Sequence, residues 1–207
     1  MTTAISKLTE IGGIPFSLEK PHSDKNLEKY PGLAELLHSK NGFFAFESAL
    51  RVFPSESTEQ SHGLADWNSK ELWKNYYGNL MNDYFFFAED IFGGQFCYFN
   101  SSIYQFDPET GEIKFVSDTL EDWAKKILED YNVLTGYQFA HDWQTKHGKL
   151  AYKKRLIPVK LFIMGGEYNS DNLDDLDSVE GMQLRGSIAQ QIQDLPDGTQ
   201  INFSIKD

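Results

Sequence analysis

Residues 84–116 read YFFFAEDIFGGQFCYFNSSIYQFDPETGEIKFV, and most of the predicted sheet lies within them. The first part, residues 84–88, is apolar at every position, which is typical of a strand that is covered on both faces. A break at Gly93-Gly94 ends this strand. Connections of only a few residues join antiparallel neighbours, so the remainder of the stretch predicts an antiparallel meander. Its three short strands are predicted at residues 95–99, 103–106 and 112–116.

Helices are predicted on both sides of this meander in the sequence. The first begins at Pro31 and ends at Asn41-Gly42, because proline suits a first helical turn and glycine accepts the left-handed conformation that stops a helix. The second begins at Asn68 and the third at Asp118, each followed three residues later by a glutamate, as in a capping box. Apolar residues then recur at helical spacing and give each helix a face to pack on the sheet. The predicted fold class is α+β, a mainly antiparallel curved sheet with helices packed against it.

The length of 207 residues suits one large domain, or one domain with an extension. We expect an α+β domain at residues 1–145 and a C-terminal extension at residues 156–207. The extension reads as a strand at 156–164, a helix between Leu173 and Ile192 that is interrupted by glycines, and a final strand at 199–205. These elements would form a thin core alone, so we expect the extension to dock on the first domain.

The chain is acidic, with 31 Asp and Glu residues against 19 Lys and Arg residues and a formal net charge of -12. A negative field repels phosphates, which opposes direct nucleic-acid binding, whereas it suits a basic partner. The imbalance is sharpest in residues 52–113, where ten acids stand against Lys70 and Lys74. This bias indicates either an ordinary solvated surface or an interaction face that attracts cations. The basic run at residues 146–155 reads as a connector, or as a segment that pairs by charge with the acidic part of the chain.

Several classes of protein and site are disfavoured by what the sequence lacks. No apolar run approaches the ~18–20 residues that a membrane span needs, and no secretion signal is visible, so a soluble cytoplasmic protein is expected. The single cysteine, Cys97, excludes a disulfide framework and a cysteine-ligated zinc site. The five scattered histidines and the aspartates of residues 171–177 do not have the spacing of metal ligands. We therefore expect no metal and no cofactor.

The sequence contains no nucleophile elbow, Walker loop or dinucleotide-binding fingerprint. Glu89 and Asp90 are adjacent carboxylates, conceivable as a general acid and base. Adjacent strand residues point to opposite faces, however, so a strand-end turn with solvated charges is the stronger interpretation. Trp67, which follows Asp66 in a polar stretch, is the tryptophan that reads as an exposed anchor for a partner. We expect that the chain is not an enzyme.

Three blocks of the sequence, read in order, resemble the SUKH superfamily. Residues 33–42, LAELLHSKNG, look like the family's first helix and its Asn-Gly stop. Residues 86–99, FFAEDIFGGQFCYF, are similar to its central strand pair, and residues 103–123 look like the hairpin and closing helix that follow. The resemblance covers roughly residues 30–130. This chain has Gly94 where many members have an acid or an amide.

The resemblance implies an α+β fold without catalysis, in which bacterial members are often immunity proteins that block polymorphic toxins, many of them nucleases. An acidic face suits this role, because it can occupy the phosphate-binding cleft of a nuclease. We therefore expect an immunity protein that binds a basic toxin domain and occludes it, with no direct nucleic-acid or membrane contact. The alternatives are a regulatory or scaffold module of the same fold, and a carboxylate-dependent enzyme that uses Glu89 or Asp90. The expected partner contacts are Asp66, Trp67, Asp83, Glu89 and Asp90.

Overall fold

The structure is a computed structural model that describes residues 2–21 and 27–192. Within these ranges the chain forms a six-stranded antiparallel sheet, in which the strands lie side by side in sequence order. This arrangement confirms both the α+β fold class and the antiparallel meander. The strands are β1 (Phe43–Ala45), β2 (Leu50–Val52), β3 (Phe85–Glu89), β4 (Gln95–Phe99), β5 (Ser102–Phe106) and β6 (Ile113–Ser117).

Helices pack against this sheet. In the described ranges they are α1 (Ala4–Ile11), α2 (Leu33–Ser39), α3 (Leu64–Trp67), α4 (Leu120–Glu129), α5 (Tyr131–Thr135), α6 (Tyr137–His147) and α7 (Ser178–Ile192). The cap of α4 is Thr119 and not the predicted Asp118, because the Thr119 hydroxyl accepts a hydrogen bond from the backbone N–H of Asp122 at 3.1 Å. No helix in the described part of the chain combines the length and apolar character needed to cross a membrane.

Strand β3 is covered on both faces by aromatic rings, as its apolar sequence predicts. The ring of Phe86 meets Trp73 edge-on, with 5.0 Å between the ring centroids. The ring of Phe87, on the next residue, meets Trp123 of α4 at 5.0 Å in a similar geometry. Each of these four side chains is fully buried. The apolar core therefore lies on both sides of the sheet at this strand.

The segment that follows Asn68 is not the predicted α-helix. It consists of turns and a short 3-10 helix at Lys74–Tyr77. The side chain of Asn68 donates to the carbonyl of Leu64 at 2.9 Å and to that of Phe86 at 2.8 Å, and accepts from the Phe86 N–H at 2.8 Å. Asn68 thus ends α3 and is engaged with the sheet, and it does not cap the N-terminus of a following helix. The capping-box prediction is wrong because local sequence cannot show this competing tertiary bond.

The C-terminal elements differ in part from the prediction. A second, two-stranded antiparallel sheet pairs β7 (Lys154–Pro158) with β8 (Leu173–Asp177), and α7 follows directly. The predicted strand at 156–164 therefore ends at Pro158, and the start of the predicted helix is a strand. Helix α7 itself runs without interruption through Gly181 and Gly186. The final strand predicted at 199–205 lies outside the described residues.

Helix α7 packs closely on the 3-10 segment of residues 74–77. A Cβ atom at Gly186 would lie 2.7 Å from the Tyr77 ring, so the glycine permits this close approach. Met182 and Ala189 of α7 belong to the same apolar core as the six-stranded sheet. The C-terminal elements thus share the core of the sheet domain, whereas the boundary between residues 145 and 156 stays a prediction.

Candidate functional site

Glu89, at the end of β3, lies in a fully buried cluster of charged side chains. Its carboxylate forms ion pairs with Arg51 of β2 and Arg155 of β7, and it accepts a hydrogen bond from Gln95 Nε2 at 2.9 Å. Arg51 Nη2 in turn donates to Ser178 Oγ at 2.7 Å, at the start of α7. The expectation that Glu89 is a solvated contact residue is therefore wrong. Its charge is engaged in joining the sheet to the C-terminal elements.

Two guanidinium groups share the one carboxylate of this cluster. Burial raises the pKa of Glu89, but Arg155 and Arg51 together with the Gln95 hydrogen bond hold that pKa below its ordinary value. Burial and the nearby Arg155 lower the pKa of Arg51 to about 9, against the attraction of Glu89. Within the described residues Arg51 Nε, Arg51 Nη1 and Arg155 Nη2 have no hydrogen-bond partner. The cluster therefore depends on Glu89 for its charge balance.

Trp67 is a core residue and not an exposed anchor. Its side chain is 0% exposed, and the ring stacks on Phe53 with 4.8 Å between centroids. The indole Nε1 donates a hydrogen bond to Gln95 Oε1 at 2.8 Å. Gln95 therefore connects Trp67 with the charged cluster at Glu89. The expectation of an exposed Trp67 is wrong because polar sequence neighbours do not determine the burial of a large ring.

Asp90 is buried as well, in a surrounding different from that of Glu89. Its Oδ1 accepts hydrogen bonds from the backbone N–H groups of Phe92 at 2.9 Å and Gly94 at 2.7 Å. A Cβ atom at Gly94 would overlap Asp90 Oδ2. Glycine at position 94 is thus required by the Asp90 carboxylate, which explains why this chain lacks a side chain there. The expectation of a solvated Asp90 is wrong.

Asp90 contributes to a cleft of about 430 Å³. We call it the acidic cleft; it lies between the β5–β6 loop, residues 107–112, and the segment of residues 162–168. Its lining includes Asp107 and Glu109 from the loop, Tyr168 from the segment and the buried Arg185 of α7. Glu109 Oε2 accepts from the Ile163 N–H at 3.0 Å, a bond that ties the two walls together.

Acids predominate in the charge of the acidic cleft. Burial raises the pKa of Asp90 to about 7, although the hydrogen bonds from Gly94 and Phe92 oppose this effect. Burial likewise raises the pKa of Glu109. Arg185 donates to the carbonyls of Phe92 at 2.6 Å and Gly181 at 2.9 Å. The full set of charged lining residues is Asp90, Asp107, Glu109 and Glu112 against Lys114 and Arg185.

The two other predicted contact residues, Asp66 and Asp83, are exposed. Asp66 accepts a hydrogen bond from the Ser57 hydroxyl and lines a shallow groove with Glu71. Six of the ten acids of residues 52–113 are exposed, whereas Lys70 is exposed and Lys74 is buried. The acidic bias of this segment thus reaches the surface. The exposed acids are Glu56, Glu59, Asp66, Glu71, Asp83 and Glu112.

Sequence reasoning did not identify Glu109, Tyr168 or Arg185 as members of a common cleft. Glu109 stands in the turn of residues 107–111, where an acid is ordinarily solvated. Arg185 is 76 positions further along the chain, so no local spacing relates the two side chains. The only available signal was that the β5–β6 connection contains three acids within six residues.

Metal and thiol chemistry find no support among the described residues. No group of three or more His, Cys, Asp and Glu side chains there could hold a metal ion. Cys97 is fully buried in β4, and burial raises the pKa of its thiol far above the ordinary value. A thiol of this kind packs as a small apolar side chain.

Replacing Asp90 by Asn is expected to remove part of the pH dependence of stability. Burial raises the pKa of Asp90 from 3.8 to about 7 in the folded chain, so the folded state holds this proton more tightly than the unfolded state. The stabilising contribution is complete below the unfolded pKa and declines as the pH rises towards the folded pKa. Asn keeps an oxygen acceptor for the N–H groups of Phe92 and Gly94.

Urea denaturation from about pH 4 to pH 8 measures this effect. The unfolding free energy of the Asp90→Asn variant should exceed that of the wild type at the upper end of the range, with the difference vanishing at the lower end. An Asp142→Asn variant, at a half-buried position outside the acidic cleft, serves as the control. Parallel pH profiles for Asp90→Asn and the wild type would contradict a raised pKa at Asp90.

Comparisons with known proteins show the fold and nothing finer. No protein-family model matches the chain, and no curated protein matches it. The crystal structure of Atu4351 from Agrobacterium tumefaciens is similar, with a TM-score of 0.52 over 86% of this chain and 86% of that chain. The sequence identity is 10%. At this identity the likeness concerns the fold alone.

Proposed function

We propose that this chain is a non-catalytic binding protein of the SUKH type, an immunity protein that occludes a basic toxin domain in the cytoplasm. The SUKH-like order of residues 33–42, 86–99 and 103–123 supports the family assignment. The surface charge supports the kind of partner. A protein that covers the phosphate-binding cleft of a nuclease must present acids to the cations there.

The observation that carries the proposal is the exposed acidity of residues 52–113, together with the acidic cleft. The segment presents six exposed carboxylates against the one exposed lysine, Lys70. Three further acids of the segment, Asp90, Asp107 and Glu109, line the cleft. Such a field accelerates association with a basic partner and gives it specificity. The proposed contact set therefore keeps Asp66, Asp83 and Asp90, and it drops Trp67 and Glu89. It adds the other acids of the cleft, Asp107, Glu109 and Glu112.

Co-expression with the toxin domain encoded beside this chain tests the proposal. The toxin alone should arrest growth, and the wild-type chain should restore it. A double variant, Asp66→Lys with Asp83→Lys, should bind the purified toxin domain about tenfold more weakly, because two attractive charges become repulsive. A Glu10→Lys with Glu28→Lys variant makes the same change of charge at exposed positions outside residues 52–113 and should bind as the wild type does.

Two results would overturn the immunity role. A neighbouring toxin domain that is neither bound nor neutralised would show that the chain has another purpose. A gene neighbourhood without any toxin domain would favour the regulatory or scaffold module of the same fold.

A second candidate function is a carboxylate-dependent enzyme, and the state of Asp90 favours it. A carboxyl whose pKa is raised to about 7 and which lines a cleft is suited to general acid–base catalysis. Glu89 cannot share this role, since its buried carboxylate is held in ion pairs with Arg51 and Arg155. A turnover on a broad substrate panel that the Asp90→Asn variant loses would establish the enzyme. Absence of any turnover would remove it.

A further inference from the structure

We infer that the acidic cleft receives an arginine side chain of the protein partner, with the guanidinium group against the Tyr168 ring and facing the carboxylates of residues 107–109. This inference rests on the proposed function, because it names the chemistry of the partner at one site. It concerns a cleft of about 430 Å³ that has both acceptors and a ring face.

The first support is a set of carboxylate oxygens held in place by the backbone. Asp107 Oδ1 accepts from the Glu109 N–H at 2.8 Å, which uses one of its two oxygens. Glu109 Oε2 accepts from the Ile163 N–H at 3.0 Å, and the backbone N–H of Phe162 is a second donor to the same carboxylate. Within residues 2–21 and 27–192, Asp90 Oδ2 receives a single long hydrogen bond of 3.3 Å, from Gln105. The planar guanidinium carries five N–H donors, so it can serve several such acceptors at once.

The second and independent support is the aromatic wall. Tyr168 stacks on Phe162 with 3.8 Å between ring centroids and 7° between the ring planes. Phe162 covers one face of the Tyr168 ring, yet Tyr168 is 69% exposed. Guanidinium groups stack on such ring faces, whereas an ammonium group lacks a plane to stack. The ring thus favours arginine over lysine.

Among the described residues, the two basic side chains that line the cleft donate no hydrogen bond to Asp90, Asp107 or Glu109, although Arg185 lies close enough to lower the pKa of Asp90 and of Glu109. Lys114 pairs with Glu112 at 3.3 Å, and both side chains are largely exposed. The Nε and Nη1 donors of Arg185 bond to the carbonyls of Gly181 and Phe92, and its Nη2 faces Met182 Sδ at 3.6 Å. With Glu112 paired to Lys114 and the pKa of Asp90 raised to about 7, the cleft keeps Asp107 and Glu109 against Arg185. The cleft therefore attracts one further cation.

Amide NMR titrations of the full chain test the inference without the toxin. The probes are N-acetyl-arginine amide, N-acetyl-lysine amide and the uncharged isostere N-acetyl-citrulline amide. The arginine probe should give saturable shifts in residues 105–112 and 162–168, with about threefold weaker binding of the lysine probe and no saturable shift with the citrulline probe.

Variants assign the effect to the cleft. Asp107→Asn keeps the acceptor for the Glu109 N–H and should weaken arginine binding about tenfold, because a charge-assisted hydrogen bond is lost. Tyr168→Ala should weaken it about threefold. Glu10→Gln removes an exposed acid outside the cleft lining and should bind arginine as the wild type does.

The outcomes separate this inference from the proposed function. No saturable shift, equal shifts with citrulline, lysine binding at least as tight as arginine, or unchanged binding in both cleft variants would overturn the inference. Toxin neutralisation with no arginine binding would overturn the inference alone. Arginine binding with no toxin neutralisation would overturn the immunity role alone.

Discussion

Replacing Glu89 by Gln is expected to lower the free energy of unfolding by about 3–5 kcal/mol. The variant keeps the shape of the side chain but removes the carboxylate that forms ion pairs with both buried guanidinium groups, Arg51 and Arg155. A loss of this size is a large share of the ~5–15 kcal/mol that stabilises an ordinary domain. Urea denaturation followed by circular dichroism measures the loss. If the variant does not fold, Arg155→Met, which leaves one arginine for the carboxylate, should fold with reduced stability.

The matched control for this prediction is Glu112→Gln. Glu112 also pairs with a cation, Lys114, at 3.3 Å, but both side chains are more than half exposed. Solvent screens such a pair, so the unfolding free energy should change by less than about 1 kcal/mol. A Glu89→Gln variant as stable as the Glu112→Gln variant would contradict the assignment of Glu89 to a structural cluster.

Replacing Trp67 by Ala is expected to lower the free energy of unfolding by about 3–5 kcal/mol, because a large buried ring is removed and a cavity is left behind. The side chain is 0% exposed, and its N–H group bonds to Gln95. A surface anchor would behave differently, since its loss weakens partner binding and changes stability by no more than about 0.5 kcal/mol.

Thermal and urea denaturation of Trp67→Ala and Tyr168→Ala decide between these roles. Tyr168 is 69% exposed, so its variant should keep nearly the full stability. Equal stability of the two variants would contradict the burial of Trp67. A Trp67→Phe variant should fall between Trp67→Ala and the wild type, because it keeps an aromatic ring but loses the hydrogen bond to Gln95.

The sheet was predictable from the sequence because its signals are local. Residues 84–88 are apolar on both parities, and the connections after β4 and β5 are too short for anything but antiparallel neighbours. The helix at residues 120–129 was predictable for the same reason, since its apolar residues recur at helical spacing. The structure of the segment after Asn68 could not be predicted in this way, because Asn68 forms hydrogen bonds to Phe86, 18 positions further along the chain.

The candidate site could be predicted only in part. Glu89 and Asp90 are adjacent, yet Arg155 comes to Glu89 from 66 positions away, and this separation hides the buried ion pair. The buried carboxylate of Asp90 is held by a hydrogen bond from the Gly94 N–H, and the sequence does not show that the turn at Gly94 makes this bond. Asp66 and Asp83 are exposed as expected, since no element of the described part of the chain buries them. The sequence therefore shows which residues are charged, but it does not show which of these carboxylates are buried in the fold and which are exposed to a partner.

The dependence of toxin binding on salt tests most directly whether the chain binds a basic toxin domain through its exposed acids and occludes it. Calorimetric titration of the purified chain into the toxin domain encoded beside it, at rising NaCl, gives the Kd at each ionic strength. The Kd should rise at least about tenfold between about 50 and 500 mM NaCl, because the attraction between the exposed acids and a basic surface is screened. A Kd that does not change with salt, or no binding at all, would contradict the account.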